Sequence, residues 1–187
     1  MNSDQGNVIE TYIPKLYYFC FNDDYCKKVF TDFIKLINSI NSADLIEIHL
    51  SSDGGNIDIL YSMLRIINTR PDRFRLVVAG DCHSAGLFTI LMVDCVKEFL
   101  PSFAGGILHG AWFMVNSNEL DNKTSEGALR LKELKKHNTK VLKYIESLGI
   151  DSEKIKDAKA GKDVFLTRDE IISASKYKDH QEITFNI

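Results

Sequence analysis

The sequence has little of what marks secreted, membrane-spanning or nucleic-acid-binding proteins. Its 187 residues carry a net charge of only −3, so no excess of basic residues points to nucleic acid or an anionic membrane surface. No apolar run reaches the roughly 18 residues that a membrane-spanning helix needs. Residues 1–6 have neither the basic nor the apolar region of a secretory signal. We therefore expect a cytoplasmic protein with no nucleic-acid or membrane partner.

Cysteine patterns that would indicate a metal centre or a disulfide framework are also missing. The four cysteines form no Cys-x-x-Cys pair, and no cluster of histidines completes a zinc site. This spacing predicts free thiols in a reducing compartment and no bound metal.

What the sequence does have is the composition of an ordinary globular protein. Hydrophobic residues make up 44% and charged residues 26% of the chain, and the length fits one domain over 1–187. The longest predicted helix runs from about 126 to 148, with one apolar stripe and a heavily charged opposite face. That stripe must be buried either on its own domain or on a neighbouring subunit.

Strands and helices alternate through the first half of the sequence. Apolar strands are predicted at 45–50 and 74–79, each followed by a loop and a helix with an apolar face. Such alternation favours an α/β fold with a parallel sheet, whose right-handed crossovers bring the loops after successive strands to one edge. We therefore expect the glycine-containing loop 51–56 and the turn 80–86 to lie side by side.

Three features that can carry chemistry follow predicted strands. Gly54 and Gly55 close one strand, Ser84 closes the next, and His109 stands near the end of a later strand at 106–112. If these strands all run parallel, their ends converge. A serine at a strand-to-helix turn can act as a nucleophile, with a neutral histidine as base and glycine-loop N–H groups as oxyanion donors. The simpler interpretation is that the serine only caps the helix.

Four segments resemble motifs of the Clp protease proteolytic subunit family. Residues 48–55 are similar to its strand and glycine loop, with Asp53 where the family usually has proline. Residues 80–86 resemble its nucleophile turn, which reads Gly-x-x-x-Ser-x-Gly. Residues 107–109 resemble its histidine strand, and 163–167 resemble the segment that carries its aspartate. The intervals between the first three segments agree with the family pattern.

The resemblance implies a Clp/crotonase-like α/β fold of stacked βαβ units, with the helix at 126–148 as a protruding handle. It also implies a homo-oligomer, a heptameric ring that is usually paired with a second ring, and an AAA+ unfoldase as partner. Substrates would be unfolded proteins or short peptides, bound as extended strands beside Gly54, Gly55 and Asn56. The implied chemistry needs no metal and no cofactor.

The same resemblance implies a role for each residue of the site. Ser84 would be the nucleophile, His109 the general base and Asp163 the acid that orients the base. The backbone N–H groups of Gly55 and Ala85 would form the oxyanion hole. This set describes a serine endopeptidase that works through an acyl-enzyme.

Several alternatives remain open. Asp157 and Asp169 are rivals for the acid, although Asp169 falls in the first turn of a predicted helix, where acids are common anyway. Cys82 is a weaker candidate nucleophile than Ser84. A crotonase-type acyl-CoA enzyme shares the implied fold but needs no Ser-His-Asp set. An inactive ring subunit that scaffolds an active partner is the non-enzymatic alternative.

Overall fold

The computed structural model describes residues 12–110 and 126–176. Twelve regular elements follow one another along these two stretches, joined by short loops and one 3-10 turn. Their bounds in chain order are β1 (Leu16–Phe21), α1 (Lys27–Ser39), β2 (Leu45–Ser52), α2 (Ile57–Thr69), β3 (Phe74–Cys82), α3 (Ala85–Met92), β4 (Val96–Phe99), β5 (Gly105–Leu108), α4 (Glu126–Ser147), α5 (Ser152–Lys159), β6 (Val164–Thr167) and α6 (Arg168–Lys176).

The main sheet is parallel, as the alternation of strands and helices predicted. Its four strands lie in the order β1-β2-β3-β4, and every neighbouring pair is parallel. Because β2 and β3 are adjacent and parallel, their carboxyl ends lie at the same edge. The glycine loop after β2 and the serine turn after β3 therefore emerge together.

The core forms on one face of this sheet. Alternate residues of β2 point inward, and Ile46, Ile48 and Leu50 are buried while their neighbours on the strand are more exposed. Helix α2 contributes the predicted apolar stripe, with buried residues at helical spacing such as Leu60 and Ile67. Helix α3 is buried along its whole length, so the helix that begins after Ser84 is anchored in the core.

The strand that precedes His109 does not join the parallel sheet. Within the described residues, β5 pairs only with β6, and the two strands are antiparallel. The expectation that three parallel strand ends converge is therefore wrong for His109. The two strands have only four residues each, so neither shows enough periodicity in the sequence to reveal its direction.

Helix α4 is the long helix predicted at 126–148. The apolar stripe of its carboxyl half, Val141, Leu142 and Ile145, is buried in the core, and Gly149 ends the helix with φ +90°. In its amino half, the stripe residues Leu131 and Leu134 are half-buried. Leu129 lies on the other side of the helix and is 52% exposed. Among the described residues, no helix combines the length and apolar character needed to cross a membrane.

Candidate active site

Ser84 occupies a strained turn between β3 and α3. Its φ of +49° with ψ of −116° makes it the one non-glycine residue with positive φ in the described part of the chain. It is the N-cap residue of α3, as the simpler interpretation predicted, but its side chain makes no capping hydrogen bond. The half-buried hydroxyl is therefore not used to satisfy the helix start.

Among described residues, the glycine loop and the serine turn each contain a backbone donor without a partner. Among described residues, nothing accepts a hydrogen bond from the N–H of Gly55 or of Ala85. The neighbouring groups of the glycine loop are engaged, since Tyr25 N–H donates to Gly54 O at 2.7 Å and Asn56 N–H donates to Tyr25 O at 2.8 Å. The loop is thus pinned on either side of Gly55, and the two free N–H groups are the ones predicted to bind an oxyanion.

Gly54 brings the glycine loop into direct contact with the serine turn. A Cβ added at Gly54 would lie 2.7 Å from Ser84 Cβ and 3.2 Å from Ala85 N. The φ of Gly54 is +119°, a conformation that residues with a side chain rarely adopt. The loop and the turn can approach this closely only because position 54 lacks a side chain.

Asn56 supports the glycine loop from the helix side. Its side-chain oxygen accepts hydrogen bonds from Asp58 N at 2.8 Å and from Ile59 N at 3.2 Å, which caps α2. Asn56 therefore has a structural role, because it holds the predicted substrate-binding loop to the start of α2.

His109 lies one residue beyond β5 and is half-buried. The strand is fastened to the serine turn, because Ser84 N–H donates to Ile107 O at 2.8 Å. A Cβ at Gly106 would stand only 2.0 Å from Cys82 O, so β5 passes the end of β3 at backbone contact distance. The imidazole Nδ1 of His109 is 2.8 Å from Gly110 O, and that carbonyl is its hydrogen-bond partner.

Asp163 precedes β6 and is exposed. The antiparallel register pairs Leu108 with Val164, so one step further along the ladder Asp163 stands opposite His109. Asp157 is engaged elsewhere, with its Oδ1 2.7 Å from Lys162 Nζ.

Ser84, His109 and Asp163 come from three neighbouring segments, since the serine turn is hydrogen-bonded to β5 and β5 pairs with β6. Within residues 12–110 and 126–176, none of these three side chains hydrogen-bonds to another of the three. Asp169, the other rival acid, is exposed in the first turn of α6.

Cys82 does not suit a nucleophile. Burial raises the pKa of its thiol to about 12, so the thiolate is scarce near neutral pH. In the described part of the chain, no three His, Cys, Asp or Glu side chains are grouped closely enough to hold a metal ion.

The sequence analysis gave His83, which lies in the serine turn, no role in the Ser-His-Asp set. Its Nδ1 accepts a hydrogen bond from Ile107 N at 3.0 Å, and its Nε2 lies 3.8 Å from Asp53 Oδ1. The substitution of Asp53 for the proline of the resembled motif was the available signal, because the loop and turn were expected at the same edge. The link to Ile107 was invisible, since it involves a backbone group of another element.

Comparison with known proteins bears on the fold. No protein-family model matches the chain, and no curated protein matches it by sequence. A solved structure that it does resemble is a mutant of ClpP1 from Listeria monocytogenes, with a TM-score of 0.61 and 21% sequence identity. The match covers 84% of this chain and 86% of that one. The chain therefore has a ClpP-like fold, with a parallel sheet and flanking helices.

Proposed function

We propose that the chain is a serine endopeptidase that cleaves unfolded polypeptides or short peptides through an acyl-enzyme. The observation that carries this proposal is the strained Ser84, whose hydroxyl makes no capping bond and whose turn contacts the glycine loop, with free N–H groups at Gly55 and Ala85. Backbone strain of this kind persists where the surrounding structure enforces it, and it clusters at functional sites. A serine that only capped a helix would not need this strain.

The proposed reaction begins when Ser84 Oγ attacks the scissile carbonyl carbon and His109 takes the hydroxyl proton. The oxyanion of the tetrahedral intermediate accepts hydrogen bonds from Gly55 N–H and Ala85 N–H. Collapse breaks the peptide bond, and the leaving amine receives the proton from His109. Water, deprotonated by His109, then attacks the acyl carbon. The ester bond to Ser84 Oγ breaks, the acid leaves, and Ser84 Oγ takes the proton back from His109.

Asp163 is assigned the role of orienting His109. Its support is the β5–β6 register, because the pair Leu108 and Val164 is followed one step further along by His109 and Asp163. For the assignment to hold, the imidazole turns its Nδ1 from Gly110 O to the carboxylate when a substrate or partner orders the site. Such hydrogen bonds are often loose in unliganded enzymes and tighten in the complex.

The substrate is proposed to bind as an extended strand beside Gly54, Gly55 and Asn56. Assembly into a heptameric homo-oligomeric ring, single or paired, and delivery of unfolded chains by an AAA+ unfoldase belong to the same proposal. Their support is the ClpP-like fold together with α4, whose amino half leaves Leu129 open to a neighbour.

A fluorophosphonate probe tests the nucleophile directly. We expect wild-type protein to gain one probe mass by intact-protein mass spectrometry, and Ser84→Ala to gain none. Ser62→Ala is the matched control, because Ser62 lies on α2 and its hydroxyl donates to Asp58 O. Equal labelling of the wild type and Ser84→Ala would overturn the proposal.

One observation favours a second candidate, an inactive ring subunit that scaffolds an active partner. His109 Nδ1 is bonded to a backbone carbonyl and not to a carboxylate. This candidate predicts that the purified protein ignores the probe and a peptide library, yet co-assembles with a catalytically active subunit.

A further inference from the structure

His83 is a residue that neither the Ser-His-Asp set nor the oxyanion hole uses. We propose that it is a positioning residue for the proposed peptidase reaction, whose imidazole holds the Ser84 turn at a fixed distance from the strand that leads to His109. The inference rests on the proposed function for its catalytic consequence, but the contact itself can be tested separately.

The carrying observation is a pair of hydrogen bonds that converge on Ile107. Ile107 N–H donates to His83 Nδ1 at 3.0 Å, and Ile107 O accepts from Ser84 N–H at 2.8 Å. Both polar groups of one β5 residue are thus satisfied by the serine turn. Two bonds resist rotation of the turn about the strand, whereas one bond alone would leave a pivot.

The contact also fixes the state of the imidazole. Because Nδ1 accepts the Ile107 N–H, that nitrogen carries no proton, and the neutral ring has its proton on Nε2. Nε2 faces Asp53 Oδ1 at 3.8 Å. That distance is too long for a hydrogen bond and Asp53 is 88% exposed, so the bond to Ile107 is the stronger restraint.

The backbone of His83 ties the turn to the remaining parts of the site. Its N–H donates to Ser52 O at 2.8 Å, and its carbonyl accepts from Gly86 N–H at 2.8 Å. The same carbonyl oxygen would lie 3.2 Å from a Cβ at Gly54. His83 therefore touches the end of β2, the start of α3 and the glycine loop, while its ring reaches β5.

Two substitutions separate the roles of the ring nitrogens. Asparagine carries an amide oxygen close to the place of Nδ1, so His83→Asn retains an acceptor for Ile107 N–H. Glutamine carries its amide close to the place of Nε2, so His83→Gln keeps a polar group near Asp53 but loses that acceptor. The two side chains offer the same chemical group, which makes them a matched pair.

The first readout is the second-order rate constant of fluorophosphonate labelling, measured on the full chain. We expect His83→Asn to react within about threefold of wild type and His83→Gln about 100-fold more slowly, since a displacement of about 1 Å can cost that much. We expect Asp53→Asn to stay within about threefold. If the two His83 variants react at the same rate, fast or slow, the proposal is overturned.

The second readout does not depend on catalysis. Hydrogen exchange of the Ile107 amide should remain protected in wild type and His83→Asn, and should accelerate at least tenfold in His83→Gln. Equal protection of Ile107 in all three proteins would overturn the contact. Wild-type protein that shows the protected amide but never reacts with the probe would instead contradict the peptidase proposal and leave the contact standing.

Discussion

At the scale of single residues, Ser84 has a strained backbone conformation, and its side chain makes no capping hydrogen bond. A φ of +49° with ψ of −116° is a conformation that glycine adopts easily and serine does not. The turn is nevertheless held, because the backbone groups of residues 83, 84 and 86 are all hydrogen-bonded to neighbours. The strain lowers the stability of the fold, but it fixes the position of the serine side chain, as is common at functional sites.

The first prediction concerns stability at this position. We expect Ser84→Gly to be more stable to urea than Ser84→Ala by about 1 kcal/mol, because glycine removes the strain that alanine keeps. At ordinary positions glycine is the less stable of the two. Both variants should lose probe labelling. An alanine variant as stable as the glycine variant would show that the turn is unstrained.

The second prediction concerns Gly54. Gly54→Ala should lose probe labelling and be destabilised by more than 2 kcal/mol, because its Cβ meets Ser84 Cβ at 2.7 Å in addition to the strain of a positive φ. Gly161→Ala is the control, since Gly161 has φ +83° but nothing within 4 Å of its Cβ. It should lose only about 1 kcal/mol and keep full labelling. Equal losses for both variants would contradict the close contact.

At the scale of elements, the start of α6 anchors the turn that leads into β5. The Arg168 guanidinium donates to three carbonyl oxygens, those of Phe99 at 3.0 Å, Leu100 at 2.6 Å and Phe103 at 2.9 Å. Arg168 N–H also donates to Ala104 O at 3.1 Å. One side chain thereby holds the connection between β4 and β5, and so the approach to His109.

The third prediction follows from that fork of donors. Arg168→Lys should lower the free energy of unfolding by about 1–3 kcal/mol, because lysine cannot reach three carbonyl groups with a planar fork. Arg70→Lys is the control, since Arg70 pairs with Asp72 on the surface and its replacement should leave the free energy of unfolding almost unchanged. Chemical denaturation of the three proteins measures both. Matching midpoints for the two variants would contradict the anchoring role.

Some elements of the fold could be predicted from the sequence, and others could not. The parallel sheet, the helices α2 and α3 and the long helix α4 could be predicted, because each leaves a periodic signal. The pairing of β5 with β6 could not, since two four-residue strands far apart in sequence carry no such signal. The role proposed for His83 was equally hidden, since it depends on a hydrogen bond to a backbone group of β5.

At the scale of the whole molecule, the stability of the fold is linked to pH through a contact between α2 and α4. Tyr61 OH and His137 Nε2 are 2.7 Å apart, and the two rings meet edge to face. Burial lowers the pKa of His137, whereas the unfolded chain leaves the ring free to take up a proton near its usual pKa. Acid therefore favours the unfolded state.

The fourth prediction is that the fold loses stability as the pH falls, because His137 has a lowered pKa in the folded state. The contribution of His137 should be complete above about pH 6.5 and should be lost as the pH falls through the lower pKa of the folded state. His137→Gln keeps an acceptor for the tyrosine hydroxyl but cannot titrate. Its urea midpoint should fall less than that of wild type between pH 7 and pH 5. Parallel pH profiles for the two proteins would rule this linkage out.

The fifth prediction is that the probe reacts with assembled rings and not with the monomer. In one chain, His109 is bonded to Gly110 O and Asp163 is exposed, so an ordered Ser-His-Asp set is expected only where neighbouring copies restrain the site. Native mass spectrometry after probe treatment should place the label on rings and not on the 21.2 kDa monomer.

Leu129 supplies the variant for this last experiment, because it is a large apolar side chain of α4 that is 52% exposed. Leu129→Ser should reduce the ring fraction and the labelling per chain together, whereas Lys135→Ser, which removes an exposed charged side chain from the same helix, should change neither. Monomers that label at the full rate would show that each chain orders its own site. The alignment of His109 with Asp163 would then have to come from the bound substrate alone. In that case, longer peptide-like probes should label the protein with a higher rate constant than short probes.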